Sequence, residues 1–140
     1  MSGLSYEEMN NWRDSLKRLL NYYANYYSVN LTVINPVDYY NFKTKLHKNE
    51  KEVFQFDMNH VISSDIIVVN MDGLNTSIGT CIELYEAYKR NIPVLALGTY
   101  DTYDNLHPWI KEFITRVDET EEDLANYIKD FYFLELEVIT

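Results

Sequence analysis

Residues 65–98 read Asp65-Ile-Ile-Val-Val-Asn-Met-Asp-Gly-Leu-Asn-Thr-Ser-Ile-Gly-Thr-Cys-Ile-Glu-Leu-Tyr-Glu-Ala-Tyr-Lys-Arg-Asn-Ile-Pro-Val-Leu-Ala-Leu-Gly98, and this stretch decides the fold. Its two ends, residues 65–71 and 92–98, are apolar runs without the alternation of a half-exposed strand. Runs of this kind are strands covered on both faces, which belong to parallel sheets. Between them, residues 72–79 are rich in Gly, Asn, Ser and Thr and predict a loop, and residues 80–91 predict a helix. Strand, loop, helix and strand make a βαβ unit with a right-handed crossover.

The same alternation continues outward. Ser5 and Glu8 have the spacing of a capping box, and Met9, Trp12, Leu16, Leu19, Tyr23 and Tyr27 then recur at helical intervals. They predict a helix over residues 6–26. Residues 31–34 predict a short strand ended by Asn35-Pro36, residues 38–51 a polar loop with some helical turns, and residues 52–63 a helix. Beyond the βαβ unit come a loop with Pro108, a helix or turn near Trp109, a short strand near 114–117 and a helix over 121–131. The tail, Leu134-Glu-Leu-Glu-Val138, alternates as a half-exposed strand does. The expectation is one domain over residues 1–140: a doubly wound α/β fold of flavodoxin or Rossmann type, mostly parallel, with helices on both faces.

A chain of 140 residues with 46% hydrophobic content is long and apolar enough for one real core. Acidic residues outnumber basic ones 22 to 12, for a formal charge of -10, and such a field repels phosphate backbones. No nucleic-acid polymer is expected as a partner, although local donors could still hold a single nucleotide. A lone cysteine, Cys81, rules out an internal disulfide framework and a cysteine-rich zinc site, and points to a reducing, cytoplasmic compartment. No run spans a bilayer, no membrane partner is expected, and the first residues lack the apolar core of a signal peptide. The 13 tyrosines suit amphipathic faces, ring inside and hydroxyl at water; one or two could instead stack on a base.

In open parallel sheets, sites form beyond the carboxyl ends of the strands. The loop after Met71 leads into a helix N-terminus, where free N–H groups favour an anion: a ligand phosphate or the carboxylate of Glu83, read here as lying in the first turn. A carboxylate held ionised there against a dry wall is a candidate nucleophile. Asp57, on the preceding helix, is a second candidate, while Asp65 reads as a cap or turn residue. His60 and His107 lack metal-ligand spacing. There is no HExxH, CxxC, GxSxG, GxGxxG or Walker A motif; Gly79 is followed by Thr80 rather than lysine.

Three blocks together resemble the nucleoside 2-deoxyribosyltransferase family: Met1-Ser-Gly-Leu4, Asp57-Met-Asn-His-Val-Ile-Ser-Ser-Asp65 with the strand after it, and Ser77-Ile-Gly-Thr-Cys-Ile-Glu83-Leu-Tyr-Glu-Ala87 followed by Ile92-Pro-Val94. The resemblance covers roughly residues 1–109. It implies that Glu83 attacks C1′ of a 2′-deoxynucleoside, forming a glycosyl-enzyme, and that Asp57 hydrogen-bonds and protonates the departing base. A second base, or water, then attacks the same carbon. Ser2, Gly3, Asp72, Ser77, Gly79, Asn105 and His107 would contact the substrate, with Asn105 reaching the sugar end of a neighbouring subunit's site in a homo-oligomer. Partners would be a 2′-deoxynucleoside or deoxynucleotide and a free nucleobase; no metal or organic cofactor is implied. Many transferases carry Asp where Ser77 stands, whereas the related deoxynucleoside 5′-monophosphate N-glycosidases carry Ser facing a phosphate. Nucleotide hydrolysis therefore stands as an alternative, and a non-catalytic nucleotide-binding domain as another.

The family's first strand, which leads into Gly-Pro-Met-Ser-Gly in the middle of the sheet, has no counterpart here. The expectation is a gap or a rearrangement at that position. The tail is read as a poor substitute, because Glu135 and Glu137 would face a helix layer, where unpaired charge is costly.

Overall fold

The computed structural model describes residues 6–36 and 50–133, with side chains from residue 11 onward. Ser2, Gly3, the capping Ser5, most of the expected loop at 38–51 and the tail strand at 134–138 lie outside the described residues.

The chain forms α1 (Tyr6–Tyr26), α2 (Glu50–Ser63), β1 (Ile67–Asn70), α3 (Ile78–Lys89), β2 (Val94–Leu97), α4 (Tyr100–Asp104), α5 (Pro108–Phe113), β3 (Arg116–Asp118) and α6 (Glu121–Ile128). A 3-10 turn, Leu74–Thr76, precedes α3, and a π-helical turn, Lys129–Phe133, extends α6. The three strands form one parallel sheet in the order β1-β2-β3, with Val69 opposite Ala96 and Leu97 opposite Asp118. This is an α/β architecture consistent with a Rossmann-like fold. Among the described residues no helix is long and apolar enough to cross a membrane.

Strand residues alternate between two clusters of buried side chains, as the pleat requires. Ile67, Val69, Val94 and Ala96 pack with Val61 of α2, Leu84 and Ala87 of α3, and Ile110 of α5. Ile66, Val68 and Leu95 pack with Leu16, Leu20 and Ala24 of α1 and with Leu124, Ala125 and Ile128 of α6. All four residues of β2 are buried, as the apolar run predicts.

Local chemistry sets the helix ends. Asn91 takes a left-handed conformation (φ 59°) and the Ile92 N–H donates to the Ala87 carbonyl, closing α3. Thr120 Oγ1 accepts from the Asp123 N–H and starts α6. Thr99 does the same for α4 through the Thr102 N–H, a helix absent from the sequence expectations although the threonine cap is its signal. Ser63 and Ser64 hydroxyls donate back to the Asn59 and His60 carbonyls where α2 stops.

The strand expected at residues 31–34 has no counterpart among the described residues, where residues 29–35 carry no strand pairing. Their burial still alternates: Val29, Leu31 and Val33 pack on the second cluster while Asn30 and Thr32 are exposed. The pattern of an extended chain is present, but a strand needs a ladder partner. A cavity, lined on one side by residues 29–36 and on the other by residues 63–70, separates this segment from β1.

Gly98, which follows β2, has φ 150°, and a Cβ built there would stand 2.9 Å from the Cε of buried Met71. Gly98→Ala is expected to lower unfolding stability by about 1–3 kcal/mol through strain and crowding together, measured by denaturant titration. Substitution at exposed, uncrowded Gly79 should cost less.

Candidate functional site

The cavity beside β1 has a volume of about 710 Å³ and reaches from the segment at 29–36 to the loop after β1. Asp57, Asp72, Ser77 and Glu83 all line it. Four of the residues singled out from sequence are thus brought together from α2, from the loop after β1 and from α3.

Glu83 is half-buried, and its carboxyl pKa is pushed up to about 7. Burial is the main cause, the like charge of Asp57 adds to it, and the positive charge of Arg13 opposes both. This corrects the sequence reading in two respects. The helix begins at Ile78 rather than Thr80, so Glu83 sits past the first turn, where the helix dipole has largely faded. Its carboxyl is therefore not held ionised by the helix end; loss of water and a neighbouring carboxylate make it a group that titrates near neutrality.

Ser77 is the residue before α3, and its hydroxyl donates to Thr80 Oγ1 at 2.9 Å. The Asp72 N–H donates to Asn70 Oδ1, which folds the chain away from the sheet directly after β1. Cys81 donates from Sγ to the Leu74 carbonyl, and burial raises its thiol pKa, so it serves packing rather than reactivity.

His60 and Asp65 also line the cavity, whereas Gly79, Asn105 and His107 lie elsewhere. Gly79 is exposed on the first turn of α3 and does not line the cavity. Asn105 borders a second cavity of about 250 Å³, between the 3-10 turn and α4, with its side chain donating to the Asp101 carbonyl. His107 caps α5: its Nδ1 accepts from the Trp109 N–H at 3.1 Å. Asp65, at the cavity's margin, is exposed and follows the end of α2. Among the described residues no group of three or more His, Cys, Asp or Glu side chains is placed to hold a metal ion.

Sequence reasoning missed Asn75. Its amide donates to the Asn105 carbonyl, and its Oδ1 accepts from the His107 N–H at 2.8 Å, so one side chain ties the loop after β1 to the loop before α5. It also missed Arg13 and Lys17, which line the cavity from α1. Nothing in the local sequence marks either helix cation, since only the packing of α1 brings them to that wall.

The Glu83 environment predicts a pH signature. The folded protein holds the Glu83 proton up to about pH 7, whereas an unfolded chain releases it near its ordinary 4.5, so stability falls as pH rises between those values. Glu83→Gln removes this slope. It should exceed the parent by about 1–3 kcal/mol in unfolding free energy at pH 8 and lose that advantage below pH 4.5. Equal pH slopes in denaturant titrations of the two proteins would contradict this account.

No family model matches the chain, and no curated protein matches it. Among solved structures, the fold resembles a conserved protein from Enterococcus faecalis V583, with a TM-score of 0.63 and 21% sequence identity over 91% of this chain and 92% of that one. At that identity the likeness establishes a shared fold and nothing about chemistry.

Proposed function

We propose that the protein transfers the 2-deoxyribosyl group between nucleobases through a covalent intermediate on Glu83. One observation carries this reading: two carboxyl groups, Asp57 and Glu83, line the same cavity, and one of them titrates near neutrality because of burial and of the other. The resemblance in sequence gives the pair its roles.

In the first step a Glu83 oxygen bonds to C1′ as the C1′–N bond breaks, and the bonding pair leaves with the base nitrogen. Asp57 delivers a proton to the base. In the second step the nitrogen of an incoming base attacks C1′, the bond to Glu83 breaks, and the proton of the incoming base returns to Asp57. Two displacements at one carbon retain its configuration. Water in place of the second base gives hydrolysis. The fold for this reading is the doubly wound, flavodoxin-like arrangement, working in the cytoplasm.

A homo-oligomer is part of the proposal. Ile78, Ile82 and Tyr85 of α3 and Trp109 of α5 are exposed, with Ile78 at 77% and Trp109 at 75%. An apolar stripe of this kind suits contact with a second copy. That contact would let Asn105 serve a neighbouring site.

Ser77 favours a second reading, hydrolysis of deoxynucleoside 5′-monophosphates. It lines the cavity immediately before α3, a helix long enough for its N-terminus to attract a phosphate.

Incubation with a 2′-deoxynucleoside and a second base, followed by chromatography, tests the first reading. Base exchange is expected, with a loss of roughly 10³-fold or more in Glu83→Ala. Wild-type exchange by Glu83→Ala would remove the nucleophile. Because the attacking group is the anion, kcat/KM should rise with pH through about 7 and level off above it. Faster base release from 5′-monophosphates, abolished by Ser77→Ala, would move the assignment to the second reading. Saturable nucleotide binding without turnover would leave only a nucleotide-binding domain.

A further inference from the structure

The loop after β1 brings Asp72 and Ser77 to the cavity, and its shape comes from bonds within itself. The Asp72 N–H donates to Asn70 Oδ1, the Leu74 N–H to the Met71 carbonyl, the Thr76 N–H to the Gly73 carbonyl and the Ser77 N–H to the Leu74 carbonyl. Leu74 is buried and ties the loop to the core, while Asp72, Gly73, Asn75 and Thr76 are exposed. Short-range bonds of this kind close a turn. They leave open where the turn stands relative to the other loop at the same end of the sheet.

The Asn75 side chain settles that. Its Nδ2 donates to the Asn105 carbonyl at 3.0 Å and its Oδ1 accepts from the His107 N–H at 2.8 Å, across 30 and 32 residues of sequence. One planar group thus supplies a donor and an acceptor to a carbonyl and an N–H two residues apart, and an amide offers both. Aspartate would lack the donor, and alanine would lack both. The segment it grips is itself anchored. The Asn105 side chain donates to the Asp101 carbonyl, the Leu106 N–H donates to the Tyr103 carbonyl, and Leu106 and Ile110 are buried in the same cluster as Leu74.

The loop is also a partition. Gly73 and Leu74 line both the large cavity and the second one, and Asn75 and Asn105 line the second from its two sides. The Asn75–Asn105 bond therefore fixes the separation of the second cavity's walls, and one of those walls is the loop that carries Asp72 and Ser77. Asp57 and Glu83 are held in another way. They stand on α2 and α3, which Val61, Leu84 and Ala87 fix to the sheet.

We propose that Asn75 is a positioning residue: its two hydrogen bonds hold the loop after β1 where Asp72 and Ser77 meet the substrate, independently of the packing that holds Asp57 and Glu83. The substrate part rests on the glycosyl-transfer reading, and the holding of the loop does not.

Amide exchange by NMR and base-exchange kinetics on the full chain test the two parts separately. In Asn75→Ala the amides of Thr76, Ser77 and His107 should exchange about tenfold faster or more, with those of Leu95 and Ala96 unchanged. Unchanged exchange at Thr76 and Ser77 would overturn the proposal, whatever the protein does to nucleosides. Asn75→Asp keeps the acceptor, so its His107 amide should stay slow; exchange there as fast as in Asn75→Ala would overturn the bonding assigned to this side chain. In the base-exchange assay Asn75→Ala should raise KM for the 2′-deoxynucleoside by about 5–20-fold, with kcat within about twofold and little change in melting temperature, because exposed hydrogen bonds add little to global stability. An unchanged KM, or kcat and melting temperature falling together, would refute the positioning role. A parent protein without base exchange removes the glycosyl-transfer reading, and the amide-exchange comparison then decides the proposal alone.

Discussion

Four consecutive residues, Val94 to Leu97, are sealed from water on both faces, and the rest of the molecule is arranged around that fact. A strand with no polar side chain can be covered twice only if its backbone groups are all satisfied by neighbouring strands. β1 and β3 supply those bonds, in parallel, and parallel neighbours require crossovers. The crossovers are α3 and the α4–α5 pair, and their apolar sides become one wall of the core. Helices α1 and α6, distant in sequence, close the other wall around Leu95.

The candidate chemistry is a by-product of the same packing. α3 must press Leu84 and Ala87 against the sheet, and this carries the adjacent Glu83 out of bulk water. α2 must place Val61 in the same cluster, and Asp57, one turn earlier on its face, comes to the same cavity. A carboxyl group moved out of water beside another carboxyl group holds its proton more tightly. The near-neutral titration of Glu83 is therefore set by two hydrophobic contacts on neighbouring positions, and it shifts if either helix slides.

Much of this was legible beforehand. The βαβ unit at 65–98 and the helices at either end follow from apolar period alone, and their limits moved by only a few residues. Asp57, Asp72, Ser77 and Glu83 meet at one cavity because the motif order places them beyond the strand ends. Residues 31–34 show where local pattern stops: Leu31 and Val33 alternate correctly, yet pairing is a property of two segments, and the second was not in view. The state of Glu83 was misjudged for a related reason. Its position in the helix suggested stabilisation by the dipole, whereas its proton affinity is governed by desolvation, which no single segment reports. Asn75 was hidden because an exposed asparagine in a turn ordinarily bonds to its own loop, and this one bonds to another.

Among the described residues the outer edge of β1 has no strand partner, and this bears on how copies of the protein behave toward one another. Unpaired N–H and C=O groups in a row are a template for any other extended chain, including the same segment of a neighbouring molecule. What opposes such edge-to-edge growth is the large negative charge, -10 for each copy, which keeps molecules apart in dilute buffer. Added salt shortens the reach of that repulsion to about 8 Å at physiological ionic strength while leaving backbone hydrogen bonding untouched. Colloidal behaviour is thus governed by the contest between a screened monopole and an unscreened ribbon of dipoles.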